Sequence, residues 1–182
     1  MQTVCFDTQI IIWGIEGKAK ASQKDMIPRA EYLIKKCAEE KKRLIVPSVV
    51  MAELLCPIPP ELHDKYYKSM GKTFRIIPFD DLAAKYFAEI WQKNKASRMT
   101  AREKGISRAE IKADYMIVAT AAAHKAFCIY SNDPHLPMFS EGYVEVRRLP
   151  DVPPEQLPLF ETPEEPGRFI DVDGYPADES SD

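Results

Sequence analysis

The chain has 182 residues, enough for one domain with a sizeable core and too few for two ordinary ones. Hydrophobic residues make up 45% and charged residues 29%, a soluble globular balance, and the net charge is −3. The apolar runs, that around Ile10 to Trp13 among them, are far too short to span a membrane. Cys5, Cys37, Cys56 and Cys128 lie far apart, with no CxxC and no histidine at zinc-finger spacing. That excludes a disulfide framework and a zinc finger, and it predicts a reducing, cytoplasmic setting. No secretory leader is expected, because the first residues lack a basic n-region and Asp7 interrupts the apolar stretch. Seven glycines form neither a dinucleotide-binding fingerprint nor a P-loop. His63, His124 and His135 suggest no triad with the scattered serines, which leaves carboxylates to carry any chemistry.

In chain order, Thr3-Val4-Cys5-Phe6 is a short β-rich run ended by Asp7. Residues 26–42 carry Ile27, Ala30, Leu33, Ile34, Cys37 and Ala38 on one stripe, which predicts an amphipathic helix. Residues 43–46 predict a second strand closed by Pro47, and Ser48 is placed to cap a helix from Val49 to Leu55. A helix over 60–71 and a third strand over 74–77 follow. Asp80 is the expected cap of a helix from Asp81 to about Lys95. Ser107 and Glu110 form a capping box for a helix running to His124 or Lys125. Residues 126–130 and 143–146 predict the fourth and fifth strands, and 96–109 reads as a helix–loop insertion. Strands separated by helices of this length imply an α/β fold, a parallel sheet with right-handed crossovers and helices on both faces.

Charge divides the chain in two. Residues 1–149 carry a net +6 and residues 150–182 a net −9 with seven of the fifteen prolines. The expected organisation is a folded domain over 1–149 followed by an acidic, proline-rich tail over 150–182. A basic body suits an anionic partner such as RNA or DNA, although many proteins of this charge bind neither.

Four acids stand where a plain core would not put them. Asp7 ends the first strand and Asp133 follows the fourth, positions at which open parallel sheets bind ligands. Helix capping is the competing reading for each, with Pro134 where a first helical residue would sit. Glu53 is the one charge in Val49-Val50-Met51-Ala52-Glu53-Leu54-Leu55, a helix apolar almost all round, which predicts a buried carboxylate; a solvent-facing glutamate is the alternative. Asp114 falls on or beside the stripe of Ile111, Ile117, Val118 and Ala121, where an internal ion pair is the alternative to function. Carboxylates brought together would repel one another unless a divalent ion neutralised them, and oxygen ligands suit Mg²⁺ or Mn²⁺ rather than Zn²⁺. Such a site activates water or stabilises charge on a phosphodiester.

These residues resemble the PIN-domain nucleases, and within them the stand-alone toxins of the VapC type. The matching pieces are Val4 to Thr8, Pro47 to Leu54, Lys112 to Ala121, and Tyr130-Ser131-Asn132-Asp133, in order across residues 1–149. The resemblance implies a three-layer α/β/α fold with a five-stranded parallel sheet and a Mg²⁺- or Mn²⁺-dependent endoribonuclease site. Carried over residue by residue, it implies Asp7, Glu53, Asp114 and Asp133 as the catalytic and metal-binding acids, with Thr8, Ser131 and Asn132 in support. It also implies RNA as substrate, a small antitoxin as partner and a homodimer. The long tail and the long segment 92–109 depart from the toxin pattern. The rival enzyme readings lack their residues: a haloacid-dehalogenase-type phosphatase wants an acid where Gln9 stands, and no receiver-type acidic pair is present. A catalytically silent PIN-fold module that binds RNA or protein is the non-enzyme alternative, and its mark would be a broken quartet.

Arg98, Arg102, Lys104, Arg108 and Lys112 precede Asp114 closely and suit phosphates leading to the cut, or else a solvated basic face. In the tail, Gln156-Leu157-Pro158-Leu159-Phe160 looks like the short peptide that docks on bacterial sliding clamps. The preferred reading is an apolar segment that pins the tail to its own body or a second subunit.

Overall fold

The computed structural model describes residues 1–153. Five strands, β1 (Thr3–Phe6), β2 (Arg43–Pro47), β3 (Arg75–Ile77), β4 (Cys128–Tyr130) and β5 (Glu145–Arg147), form one all-parallel sheet in the order β3-β2-β1-β4-β5. The chain leaves β1 for β2 on one side, and β4 fills the other. The strand order therefore reverses beside β1, which opens a crevice at the carboxyl ends of β1 and β4.

Eight helices make the crossovers: α1 (Thr8–Gly14), α2 (Met26–Glu39), α3 (Ser48–Leu55), α4 (His63–Met70), α5 (Asp81–Lys93), α6 (Lys95–Glu103), α7 (Arg108–Ala123) and α8 (Leu136–Ser140). α1 packs on α2, and α5 on α7, with α8 against α7. Right-handed crossovers put the β1–β2 helices on one face of the sheet and the β3–β4 helices on the other. No helix among the described residues is long and apolar enough to cross a membrane.

The predicted stripe of α2 is its buried face, with Ala30, Leu33, Ile34 and Cys37 inward. α1 approaches so closely that a Cβ on Gly14 would lie 2.6 Å from Ile34 Cδ1 and 3.1 Å from the Ala30 Cβ. Across the sheet, Phe6 packs between Phe74 and Tyr130 at centroid distances of 5.6 and 5.7 Å. All four cysteines are free, and only Cys56 is exposed.

Three helices end in the same turn. In α2 the Lys42 and Lys41 amides donate to the Cys37 and Ala38 carbonyls, and in α7 Ala126 and Lys125 donate to Ala121 and Ala122. In α6 Ile106 and Gly105 donate to Ala101 and Arg102. This paired closure needs a left-handed residue. α6 supplies Gly105 (φ 84°), whereas α2 and α7 use Lys41 (φ 54°) and Lys125 (φ 53°).

Several local expectations are corrected. The helix α1 was anticipated only through the capping reading of Asp7; its apolar Ile10-Ile11-Ile12-Trp13 run has no polar face to read. Residues 96–109 do form a helix followed by a short loop, with α6 over Lys95–Glu103 and α7 starting at Arg108. Ser48 does not cap α3: its Oγ accepts from the Phe79 amide at 3.1 Å, tying β2 to the segment after β3. The last two strands are shorter than the apolar runs that predicted them, starting at Cys128 and Glu145. The Asp80 cap of α5 and the Ser107–Glu110 capping box of α7 are both present. The Arg29 guanidinium of α2 holds the chain beyond β5, donating to the Leu149 and Pro150 carbonyls at 2.8 and 3.0 Å and pairing with Asp151 at 3.0 Å. The rest of the acidic tail, including Gln156 to Phe160, lies outside the described residues.

Candidate active site

β1 ends at Asp7, which is also the N-cap of α1: its Oδ1 accepts from the Thr8 amide at 2.7 Å. The capping reading and the site reading thus hold for the same residue, each using a different oxygen. Oδ2 accepts from the Ser131 hydroxyl at 2.6 Å, and the Asp7 amide donates to the Tyr130 carbonyl. Ser131 is buried just past β4, where its Oγ also accepts from the Asp133 amide at 3.0 Å. One hydroxyl therefore fixes the acid of β1 against the loop of β4.

Asp133 does not cap α8 as a helix residue. Its Oδ1 accepts from the His135 amide at 2.7 Å in a local turn, and α8 begins at Leu136. Asn132, between Ser131 and Asp133, is half-buried.

Glu53 corrects the sequence reading. α3 buries Val50, Met51 and Leu54, while Ala52 and Glu53 are exposed. The helix is only eight residues long, so an apolar composition did not need burial all round. Glu53 is nonetheless held, because Thr8 Oγ1 donates to its Oε2 and joins the start of α1 to α3.

Asp114 is half-buried on α7, next to the fully buried Tyr115. Among the described residues no lysine, arginine or histidine pairs with it, so the internal ion-pair alternative finds no partner there.

Electrostatics joins the four acids into one group. Burial pushes the Asp114 carboxyl up to about 8, and the charges of Asp133, Asp7, Glu53 and Glu110 add to the rise. Burial likewise raises Asp7 to about 6, opposed by the hydrogen bonds from Ser131 and Thr8 and reinforced by Glu53 and Asp133. Asp114 thus feels the other three acids, and Asp7 feels Glu53 and Asp133. Among the described residues no three acids, histidines or cysteines stand close enough to form a ready-made metal-binding group. Four carboxylates without a counter-charge repel one another. The donor set, all oxygen and short of positive charge, fits a hard divalent cation.

The predicted basic residues fall into two kinds. Arg102, Arg108 and Lys112 are exposed, as is Lys104. Arg98 turns inward: its guanidinium stacks over the Trp91 ring, 4.1 Å from the centroid, and donates to the Trp91 carbonyl. Sequence reasoning missed this aromatic seat, in which Trp91 and Phe139 also pack on Tyr115 at 5.3 and 4.8 Å. The residues Phe87, Trp91 and Tyr115 lie on two helices, and no local spacing joins them.

No family model and no curated protein matches the chain. Solved structures do. A chain of VapBC2 from Rickettsia felis, bound to a DNA fragment from their promoter, matches with a TM-score of 0.51 and 18% identity, over 81% of this chain and 98% of that one. DNA-bound VapBC from Salmonella typhimurium gives 0.52 at 17% identity, over 82% and 99%. VapBC-1 from nontypeable Haemophilus influenzae gives 0.54 at 13%, over 81% and 98%. At these identities the likeness is one of architecture, and it agrees with the sheet order and helical layers above: the chain has the three-layer, five-stranded PIN-like fold of VapC-type proteins.

Proposed function

We propose that this chain is a metal-dependent endoribonuclease that hydrolyses RNA phosphodiester bonds, and that it acts as the toxin of a toxin–antitoxin pair. The observation that carries the reading is the electrostatic influence of Asp133, Asp7 and Glu53 on Asp114, and of Glu53 and Asp133 on Asp7, among carboxylates drawn from four separate stretches of the fold. A structural cap or a solvated glutamate explains any one of these acids. Neither explains why two of them, raised by burial, are raised further by the neighbouring acids.

Asp7, Glu53, Asp114 and Asp133 would hold Mg²⁺ or Mn²⁺, an ion that when bound supplies an activated water nucleophile and offsets the charge building on the phosphodiester. The chain's own residues prepare the place. Ser131 Oγ fixes Oδ2 of Asp7, and the Asp133 amide fixes Ser131 in turn, so the two acids keep one relative position. Thr8 Oγ1 donates to Glu53 and joins the start of α1 to α3. Asp114 retains its carboxyl proton near neutral pH until positive charge arrives, so cation binding is expected to release a proton. Arg102, Arg108 and Lys112 present exposed cations to phosphates beside Asp114. The solved neighbours are VapBC assemblies, which supports a small antitoxin as this chain's partner; a homodimer is the oligomer the resemblance implies.

The test is cleavage of a labelled single-stranded RNA by the full chain. Activity with Mg²⁺ or Mn²⁺, and its loss in EDTA, is the expected result. Full cleavage in excess EDTA would remove the metal mechanism, and no cleavage under any metal would leave a silent binding module. A short neighbouring reading frame encoding a DNA-binding protein would support the toxin role.

A further inference from the structure

A second, oppositely charged site lies away from the acids. β3 is an edge strand, and a cleft at its amino-terminal end is lined by Arg43, Tyr67, Lys72 and Arg75, with no acid in its wall. Arg43 opens β2 and Arg75 opens β3, while Tyr67 and Lys72 come from α4 and the turn that follows it. Lys72 and Arg75 are exposed. Tyr67 is one of the few large hydrophobic side chains left open, at 49% exposure. Among the described residues, none of the three cations pairs with a carboxylate, and the buried Nε of Arg43 has no acceptor.

We infer that this cleft at the free edge of β3 is a docking site for single-stranded nucleic acid, with Arg43, Lys72 and Arg75 taking the phosphates and the Tyr67 ring stacking on a base. Cations that track a backbone beside an open aromatic ring are the combination that holds single strands without regard to sequence. An acidic peptide would satisfy the cations but would leave Tyr67 without a role. The inference extends the nuclease reading, because an enzyme that cuts a strand gains by holding it outside the cut, but its test does not use cleavage.

The experiment measures binding of a fluorescein-labelled polyuridine oligonucleotide, about a dozen nucleotides long, by anisotropy. The full chain is held in EDTA, with salt varied from about 50 to about 200 mM. Lys72→Glu/Arg75→Glu should weaken binding at least tenfold at the lower salt. The logarithmic salt slope should shrink by about 1.4, for two phosphate contacts at about 0.7 each on a single strand. Tyr67→Ala should weaken binding by roughly fivefold or more with the slope unchanged. Lys72→Gln/Arg75→Gln, with circular dichroism on every variant, guards against misfolding. Unchanged affinity and slope in both charge variants would overturn the site. A loss on charge reversal with no loss in Tyr67→Ala would overturn the nucleic-acid assignment and leave an acidic partner, the chain's own residues 154–182 included. If the cleft binds RNA but the chain cleaves none, the nuclease reading fails and this one stands.

Discussion

The carboxyl end of the sheet and the aromatic seat under α6 lie next to each other on α7, at Asp114 and Tyr115, and they are built on opposite terms. Around Asp114 two carboxyls are pushed towards their neutral forms, by burial first and by neighbouring acids second. Around Tyr115 the rings of Phe87, Trp91 and Phe139 interlock and Arg98 caps the stack. One region holds carboxyls against the cost of burial, and the other is packed aromatic core. Adjacent residues of one helix thus carry the contrast between the candidate site and the packing beside it.

Variants at the two regions should separate activity from stability. The largest effect is expected at the acids: Asp7→Asn, Asp114→Asn and Asp133→Asn should each lower RNA cleavage by roughly a hundredfold or more, while circular dichroism shows a folded chain. Glu53→Gln belongs with them despite its exposure. Cleavage rates of the purified variants check this, and wild-type rates from all four would break the contrast.

In the aromatic seat the effect should fall on stability. Phe139 is fully buried, so Phe139→Ala should cost about 3–5 kcal/mol, read by denaturant unfolding. A loss below about 1 kcal/mol would mean that this packing does not support α7.

The pH dependence of the metal-free chain sharpens the comparison further. Asp114 has a folded pKa of about 8 against an ordinary value of 3.8. Between those pH values the native chain holds a proton that the unfolded chain has lost. Its contribution to stability therefore falls as pH rises from about 4 to about 8, and then levels. Asp7, at about 6, adds a smaller fall over the lower part of that range. Asp114→Asn should remove most of the fall and raise the melting temperature in EDTA at pH 8.5 by about 3–6 °C, the equivalent of relieving roughly 1–2 kcal/mol of repulsion. A variant less stable than wild type at that pH would show that Asp114 is a packing residue.

The smallest effect concerns the helix ends. Lys125 holds a left-handed φ of 53° in the same turn for which α6 uses Gly105. Lys125→Gly should gain about 0.5–1 kcal/mol without altering cleavage.

Much of this was legible in the sequence where the signal is local. The Asp80 cap, the Ser107–Glu110 box and the stripe of α2 each follow from residues within one or two turns of one another. The parallel sheet followed from the alternation of strand and helix, and the acids at strand ends from the same alternation. What could not be read is set by contacts between distant segments. Ser48 looks like a cap, yet it serves Phe79, thirty-one residues on. Arg98 looks like a phosphate ligand, yet Trp91 on the preceding helix takes it. Glu53 looked buried because α3 is apolar, but an eight-residue helix can bury one side and leave its acid open. The cationic cleft draws on β2, β3, α4 and the turn after it, and no sequence window contains it.

The most direct test of the central claim, that four separate carboxylates act as one divalent-cation site, is the melting temperature of the full chain at pH 8 as Mn²⁺ is added. Wild type should rise with Mn²⁺ concentration and saturate, as a ligand that binds only the native state requires. Asp7→Asn, Glu53→Gln, Asp114→Asn and Asp133→Asn should each show a much smaller rise. A wild-type melting temperature that does not respond to Mn²⁺, or a rise that all four variants retain in full, would contradict the account.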